Sequence, residues 1–375
     1  MAGVYNWNLK LWAVIVAVIV ILAVTGVCLS DNERDDATAI TIGIANREGS
    51  GVLGKDPGMV TMENGYAVFH ADKWKGKIVA TPGTGTLQEI FIKSQMKAIG
   101  LECVSYEPSN GVSAGSDKVY IWTCTNLEAF KDNVRSGRVD AAIVWEPWYS
   151  DLASGDYKKL CTTGEMEGLE NHFCCLIDAN SAYLDSHQNE TVRFLAGYVK
   201  AVQWINDAKK DRSLDDHGKL LDIASKCTGI TDRNVLEAAV NNIKYIDDTD
   251  QLLESYADLI VKLGEDNAIP KKMTREEANR FASAHIDTQH LENAKKIERG
   301  SYNRATVNVG AISQDLHQLA LHVGVELGFF DEYGIEVKIS MYDTGAKIMV
   351  ALMSGNVNVG FVGAPPTVMY AVNMS

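Results

Sequence analysis

Residues 74–100 read WKGKIVATPGTGTLQEIFIKSQMKAIG, and their pattern changes from that of a strand to that of a helix. The run at 77–80 is typical of a short buried strand, and a loop rich in glycine and threonine follows it. From Thr86 the apolar residues recur at helical spacing, and Thr86 with Glu89 fits a capping box. The segment therefore predicts a helix N-terminus whose free backbone N–H groups can bind an anion. Because the third glycine of a dinucleotide-binding loop is absent, an ordinary strand–helix joint without a ligand is the alternative.

Length and composition favour a globular protein of two lobes. The 375 residues are enough for two cores, and the net charge of -14 argues against nucleic acid as the main partner. The seven cysteines include no CxxC pair, so no metal site is predicted. If the chain is exported, Cys103 with Cys124, or Cys161 with Cys174 or Cys175, are candidate disulfides, and the sequence does not assign the pairs.

An apolar run at residues 11–27 follows Lys10 and precedes several acidic residues. Its length is that of a minimal membrane span or a long signal-peptide core, and the flanking charges place the rest of the chain outside. Cys28 suggests a lipoprotein, but Val27 fits such a cleavage site poorly. An uncleaved membrane anchor at residues 1–30 is therefore predicted, with a buried core helix as the alternative.

The rest of the chain alternates between α/β and helical patterns. Residues 77–177 alternate strands with helices, which is typical of an α/β fold, and their last strand ends at Trp145 to Trp148. Residues 180–263 are predicted to be helical, and the highly charged segment 271–303 is predicted to be an exposed helix or linker. After residue 307, three predicted strands each end in a small polar loop that leads into a helix. Further upstream, a strand at 39–45 and a loop at 46–51 are predicted.

Four segments of the sequence resemble substrate-binding proteins of ABC importers of the nitrate/sulfonate/taurine group. The N-terminal part of these proteins is resembled by two segments, HQLALHVGVELGFFDEYGIEVKI and ALMSGNVNVGFVGAPPTVM. KWKGKIVATPGTGTLQEIF resembles the entry to their second lobe, and SGRVDAAIVWEPW resembles a later strand and loop of that lobe. The resemblance spans residues 38–270 and 304–375. It implies the α/β fold of type II periplasmic binding proteins, in which two lobes enclose a ligand cleft.

The order of these segments departs from the family, because the part that normally opens the protein stands last. This order predicts a circular permutation, and a fragment of a second tandem copy or a domain-swapped dimer is the alternative. The predicted organisation has lobe 2 at 77–177, and the chain is expected to cross between the lobes near 70–76 and 177–182. Residues 363–366 are expected to face residues 84–86 across the cleft. The remaining segments are the anchor at 1–30, lobe 1 at 31–76, 178–270 and 304–375, and the connection at 271–303.

The resemblance also implies which residues contact the ligand. From lobe 1 they are Asn46, Glu48, Ser50, Gln314, Asp315, His317, Thr344, Gly345, Gly363 and Ala364, and from lobe 2 they are Thr84, Thr86, Gln88, Trp145 and Glu146. Hydroxyls and helix N-termini suit an anionic group, whereas Asp315 and Glu146 suit a cationic or hydrogen-bonding end. His317 and Trp145 are also of types that often pack inside a protein without any ligand.

The function that the resemblance implies is that of an extracytoplasmic receptor, anchored to the membrane, that hands a small anionic or zwitterionic solute to an ABC permease with its ATPase. No HExxH motif occurs, and no catalytic residue, cofactor or metal ligand is predicted, so the chain is expected not to be an enzyme. An enzyme related to thiamine-pyrimidine synthesis is the alternative, because residues 172–175, HFCC, resemble in part the cysteine-rich motif of those enzymes. An anchored ligand-sensing domain is a third interpretation. The sequence does not identify the ligand.

Overall fold

The computed structural model describes residues 38–213 and 215–374. The membrane anchor predicted at residues 1–30 lies outside these residues and stays a prediction. Within the part of the chain that is described, no helix is both long enough and apolar enough to cross a membrane. The described residues alternate strands and helices around two large sheets, which confirms the predicted α/β class.

Strands of the described residues are arranged in two six-stranded sheets and a hairpin. In chain order they are β1 (Ala39–Glu48), β2 (Ser50–Gly54), β3 (Val60–Glu63), β4 (Tyr66–Phe69), β5 (Ile78–Thr81), β6 (Cys103–Ser105), β7 (Val119–Thr123), β8 (Ala141–Trp145), β9 (Lys158–Thr162), β10 (Phe173–Asn180), β11 (Ile243–Tyr245), β12 (Ala305–Ile312), β13 (Ile335–Tyr342) and β14 (Val359–Gly363). The first sheet has the order β11-β1-β10-β14-β12-β13, and the second has the order β6-β7-β5-β8-β2-β9. β3 and β4 form the hairpin.

The C-terminal segment completes the sheet that the first strand begins. β12 pairs in parallel with β13 and β14, and β14 pairs antiparallel with β10, which in turn pairs antiparallel with β1. Residues 304–375 therefore supply three strands to the sheet that contains β1. A circular permutation requires this packing, although the permutation itself stays a prediction.

Helices cover the faces of both sheets. They are α1 (Ala71–Trp74), α2 (Leu87–Ala98), α3 (Leu127–Arg135), α4 (Trp148–Asp151), α5 (Ser181–Ser186), α6 (Gln188–Lys210), α7 (Asp215–Thr228), α8 (Arg233–Asn242), α9 (Leu252–Glu265), α10 (Arg275–His285), α11 (Gln289–Ala294), α12 (Leu319–Glu326), α13 (Gly345–Met353) and α14 (Ala364–Met374). α2 begins where the capping pattern predicts, because the Thr86 hydroxyl accepts a hydrogen bond from the backbone N–H of Glu89. The reciprocal bond of the capping box is displaced by one residue, since the Glu89 carboxylate accepts the N–H of Gly85.

The chain crosses between the sheets earlier than predicted. It passes from the first sheet to the second at Gly49, between β1 and β2, and it returns between β9 and β10. The crossings predicted near 70–76 and 177–182 are therefore wrong, as is the loop predicted at 46–51. The polar side chains at this point suggest a loop, but partners from distant segments satisfy them. Arg47, for example, donates to the backbone carbonyl of Asn171.

The segment at 271–303 contains two helices, α10 and α11, which agrees with the helical alternative of the prediction, but these helices are packed and not exposed throughout. Ala278, Ala282 and Leu291 are buried, and Ile286 forms an isolated bridge with Thr41 of β1. The expected exposure is wrong at these positions because the buried face consists largely of alanine. The sequence pattern lacks the large apolar residues that usually reveal such a face.

The cysteines of the described residues are all free, so the candidate disulfides are wrong. Cys103 of β6 is in register with Val119 of β7, and Cys124 lies five residues beyond that partner. Five strand residues span about 16 Å, whereas a disulfide needs Cα atoms within about 7 Å. The second candidate pairing fails because Cys161 lies in the second sheet and the adjacent cysteines lie in the first.

A buried carboxylate joins three elements of the first sheet's core. Asp178 of β10 accepts hydrogen bonds from the hydroxyl of Thr41 on β1, at 2.7 Å, and from the hydroxyl of Thr367 on α14, at 2.6 Å. Burial raises the pKa of Asp178 to about 6, although the two hydroxyls oppose the shift. The C-terminal helix is thus tied to the first strand through a single side chain.

Candidate ligand-binding site

A cavity of about 380 Å³ lies between the two sheets. Its walls hold many of the residues that the family resemblance implies as ligand contacts. From the second sheet's side these are Thr84, Thr86, Gln88 and Trp145, and from the first sheet's side they are Asp315, His317, Thr344, Gly345 and Gly363. As expected, Gly363 and Pro366 line the cavity together with Thr84 and Thr86. Their contact with a ligand stays a prediction.

Helix N-termini from both sheets open onto this cavity. On the second sheet's side, Thr86 caps α2, and the side-chain oxygen of Asn126 accepts the N–H of Ala129 at 2.8 Å to cap α3. On the first sheet's side, Thr344 caps α13, and Gly363 directly precedes α14. Each of these helix ends carries partial positive charge from unpaired N–H groups. The cavity is therefore suited to an anion.

A cluster of thiols and an imidazole forms another part of the wall. His317 Nδ1 lies 3.4 Å from Cys174 Sγ and 3.8 Å from Cys175 Sγ, and all three residues are buried and line the cavity. Asp315 is next to them, with its carboxylate oxygen 3.6 Å from the same imidazole nitrogen. Cys174, Cys175 and His317 could hold a metal ion, because their three ligand atoms lie within 4.8 Å of one another.

The groups of this cluster shift each other's pKa values. A hydrogen bond from the Cys175 thiol lowers the pKa of Cys174, against its burial, and the His317 charge lowers it further. The same hydrogen bond, together with burial, raises the pKa of Cys175. Burial opposes the charged form of His317, but Cys174 and Asp315 outweigh it and raise the imidazole pKa to about 10. Burial raises the pKa of Asp315 to about 6. The described geometry therefore favours the charged form of Cys174 and of His317 over their neutral forms.

The backbone carbonyl of Gly49 connects the site to both sheets. It accepts a hydrogen bond from His317 Nε2 at 2.8 Å and another from the backbone N–H of Glu146, also at 2.8 Å. Gly49 has a φ of 87°, and a Cβ there would lie 2.5 Å from His317 Nε2. Only glycine therefore fits at this crossing.

Several of the implied ligand contacts lie outside the cavity wall. They are Asn46, Glu48, Ser50, Glu146, Gln314 and Ala364. Two of them support the wall from behind, since Asn46 accepts the N–H of Cys175 and Ser50 accepts a hydrogen bond from Gln88. Glu146 is buried and accepts hydrogen bonds from the Ser150 hydroxyl at 2.8 Å and from Asn242 at 3.1 Å.

The other three have different surroundings. Glu48 pairs with Lys244 at 2.6 Å. Gln314 has a φ of 59°, which places it in a tight turn after β12. Ala364 is the first residue of α14 and is buried.

The cavity also has lining residues that the sequence analysis did not select. They include Cys124, Asn126, Cys174, Cys175, Ile312 and Asp343. Asn126 follows β7 and opens α3, which is the same strand–loop–helix pattern as at Thr86, so its sequence signal was present. The two cysteines lie inside a buried strand and carry no such signal. Their position depends on the pairing of β10 with β14.

Comparisons with known proteins support the family resemblance. A family model described as the NMT1-like family matches residues 12–215. No curated protein sequence matches the chain. The periplasmic nitrate-binding protein NrtA from Synechocystis PCC 6803 has a similar structure, with a TM-score of 0.51 and 14% identity over 69% of this chain and 68% of that chain.

A second solved structure is also similar to this chain. It is the alkanesulfonate-binding protein SsuA from Xanthomonas axonopodis pv. citri, bound to MOPS, with a TM-score of 0.41 and 15% identity over 64% of this chain and 73% of that chain. The similarity to NrtA, at a TM-score of 0.51, shows that the two proteins share a fold. Because the family model covers more than half of its residues, the chain belongs to the NMT1-like family.

Proposed function

We propose that the chain is the extracytoplasmic solute-binding protein of an ABC importer and that it captures a small anionic or zwitterionic solute in the cavity between the sheets. The observation that carries this proposal is the set of helix N-termini on opposite walls, capped by Thr86, Asn126 and Thr344. Backbone N–H groups and hydroxyls from both sides can then bind one anion. A receptor of this kind needs no catalytic residue.

The chemistry of known relatives agrees with an anionic ligand. The similar solved structures are a nitrate-binding protein and an alkanesulfonate-binding protein. Both of these ligands are anions of the kind that helix N-termini favour. In this chain the Asp315 carboxylate lies on the same cavity, so a zwitterion with a cationic end also fits.

Closure of the two sheets on the solute is the proposed capture step. The chain crosses between the sheets at Gly49 and again between β9 and β10, and hinge motions occur at a few residues of such connections. A permease with its ATPase is the proposed partner, and the anchor at residues 1–30 is proposed to hold the receptor at the membrane.

A binding experiment with a matched control tests the site. Mass spectrometry of small molecules that co-purify with the full chain identifies candidates, and calorimetry then measures binding of these together with nitrate, taurine and methanesulfonate. Thr86→Ala removes a helix cap and a hydroxyl from the cavity, and it should weaken binding roughly 10- to 100-fold, as expected for a lost hydrogen bond to a charged group. Thr274→Ala removes the cap of α10, away from the cavity lining, and it should leave affinity unchanged.

Unfolding must be measured alongside, because each cap contributes about 1 kcal/mol to stability. Equal affinity in the wild type and in the Thr84→Ala, Thr86→Ala and Trp145→Ala variants would remove this wall from the site.

An enzyme related to thiamine-pyrimidine synthesis is the second candidate, and the observation that favours it is the presence of Cys174 and Cys175 on the cavity wall. The two functions differ in what happens to the bound molecule. A receptor releases the solute unchanged after prolonged incubation, whereas an enzyme converts it. Mass spectrometry of the released molecule separates the two.

A further inference from the structure

We propose that Cys174, Cys175 and His317 form a binding site for a soft d10 cation, Zn²⁺ or Cu⁺, on the wall of the cavity. This proposal is independent of the proposed solute, because it depends only on the arrangement of the three side chains. It also departs from the expectation from the sequence, in which no metal site was predicted because the cysteines include no CxxC pair.

The spacing of the ligand atoms agrees with tetrahedral coordination. In a zinc site with Zn–S and Zn–N bonds of about 2.3 and 2.0 Å, a sulfur and a nitrogen ligand are about 3.5 Å apart. Here His317 Nδ1 lies 3.4 Å from one sulfur and 3.8 Å from the other. Small side-chain rotations are therefore enough to bring all three atoms onto one ion.

The imidazole is oriented as a metal ligand requires. His317 Nε2 lies 2.8 Å from the carbonyl oxygen of Gly49, so this nitrogen carries the hydrogen and donates it. Nδ1 then faces the two sulfurs and can offer its lone pair to a cation once its own proton is released. A backbone carbonyl behind a ligating histidine is a usual outer partner in metal sites, because it fixes the ring and its tautomer.

The sulfurs are held on a rigid part of the fold. Both cysteines belong to β10, an inner strand of the first sheet, and the backbone N–H of Cys175 is fixed by the side chain of Asn46 at 3.2 Å. The carboxylate of Asp315 lies 3.6 Å from His317 Nδ1 and adds negative charge beside the ligand set. Buried anionic groups are stabilised when a cation neutralises them.

The donor set selects the kind of metal. Two thiolates and one imidazole suit soft or borderline ions such as Cu⁺ and Zn²⁺, whereas Ca²⁺ and Mg²⁺ require oxygen ligands. Three protein ligands leave one coordination position of a tetrahedral ion free. All three residues line the cavity, so this position faces it. If the proposed function is right, a donor atom of the solute can complete the coordination.

Metal binding to the full chain tests the proposal. The reduced, metal-free protein is titrated with Zn²⁺ in competition with a chromophoric chelator, and with Cu⁺ under anaerobic conditions. Co²⁺ is used as a spectroscopic probe of thiolate coordination. We expect one ion per chain and an X-ray absorption spectrum with two sulfur neighbours and at least one nitrogen neighbour. Cys174→Ser, Cys175→Ser and His317→Ala should each weaken binding by about 100-fold or more, beyond the loss that follows removal of an outer-shell partner.

Cys161→Ser is the matched control, because Cys161 is also a buried strand cysteine but lies in the second sheet, outside the cavity lining. It should bind metal as the wild type does. Circular dichroism shows whether each variant is folded. The proposal is overturned if neither Zn²⁺ nor Cu⁺ binds in a one-to-one ratio, if Fe²⁺ alone binds, or if a folded Cys174→Ser/Cys175→Ser variant binds as tightly as the wild type. Anion binding to the metal-free protein tests the proposed function separately.

Discussion

Replacing Asp178 with asparagine should change how the free energy of unfolding depends on pH. In the folded protein this carboxyl is buried between β1, β10 and α14, and its pKa is raised to about 6. In the unfolded chain an aspartate has a pKa of about 3.9. Between these two values the folded protein holds a proton that the unfolded chain has released.

The sign and size of the effect follow from this difference. The contribution of Asp178 to the free energy of unfolding is fully present below the pKa that an aspartate has in the unfolded chain. It is lost as the pH rises through about 6, the pKa in the folded protein. A difference of about two in pKa corresponds to about 3 kcal/mol, because one pKa unit is worth about 1.4 kcal/mol. Asparagine keeps the shape of the side chain and its hydrogen bonding to the hydroxyls of Thr41 and Thr367, but it does not ionise.

Urea unfolding of the wild type and of Asp178→Asn, repeated from about pH 4 to about pH 7, measures the effect through the difference between the two proteins. The variant should gain up to about 3 kcal/mol relative to the wild type across this range. Asp185→Asn on α5 is the control, because the Asp185 side chain is exposed, and it should follow the wild type. Parallel stability curves for the wild type and Asp178→Asn would refute the reasoning.

Three further predictions concern the crossing, the anchor and the chain order. Gly49→Ala should destabilise the protein by more than the roughly 1–2 kcal/mol that a left-handed backbone costs alanine, because its Cβ would also meet His317. Gly100→Ala is the control, because Gly100 also has a positive φ but no atom lies near the position of an added Cβ, so this variant measures the backbone cost alone in the same urea assay. An equal loss of stability in the two variants would contradict the clash with His317. Deleting residues 1–30 should move the protein from the membrane to the soluble fraction with solute binding intact, whereas a full-length gene product found soluble without residues 1–28 would rule out an uncleaved anchor. A gene that places 304–375 before residue 38 should give a protein with one unfolding transition and the same solute, and an unfolded product would count against the permutation.

Much of the fold could be predicted where the sequence signal is local. Thr86 and the periodicity after it are enough to place α2, because a cap and a helical face depend on residues a few positions apart. The same is true of Thr344 and α13. β2 was missed because Ser50 lies between two glycines, which is typical of a loop, and its hydrogen-bond partner Gln88 lies far away in the sequence. The burial of α10 was not predicted because its buried face consists of alanines.

The candidate site likewise has some features that the local sequence predicts and others that depend on distant contacts. Its helix caps are visible in the sequence, since a strand, a loop and a capping residue are adjacent in the chain. The thiol–imidazole cluster is not, because Cys174 and His317 are 143 residues apart and meet only once the first sheet has formed. Which polar residues face the cavity and which support its wall, as Asn46 does, likewise depends on register between distant strands.

The Gly49 carbonyl has a mechanical consequence. One oxygen accepts a hydrogen bond from Glu146, at the end of β8 in the second sheet, and another from His317, beside the first sheet. If the sheets close as proposed, a backbone rotation at Gly49 turns the imidazole of His317 as it tilts one sheet against the other. The orientation of the His317 ring and the angle between the sheets then change together. By reciprocity, whatever holds the ring in one direction also biases the angle, and by an equal free energy.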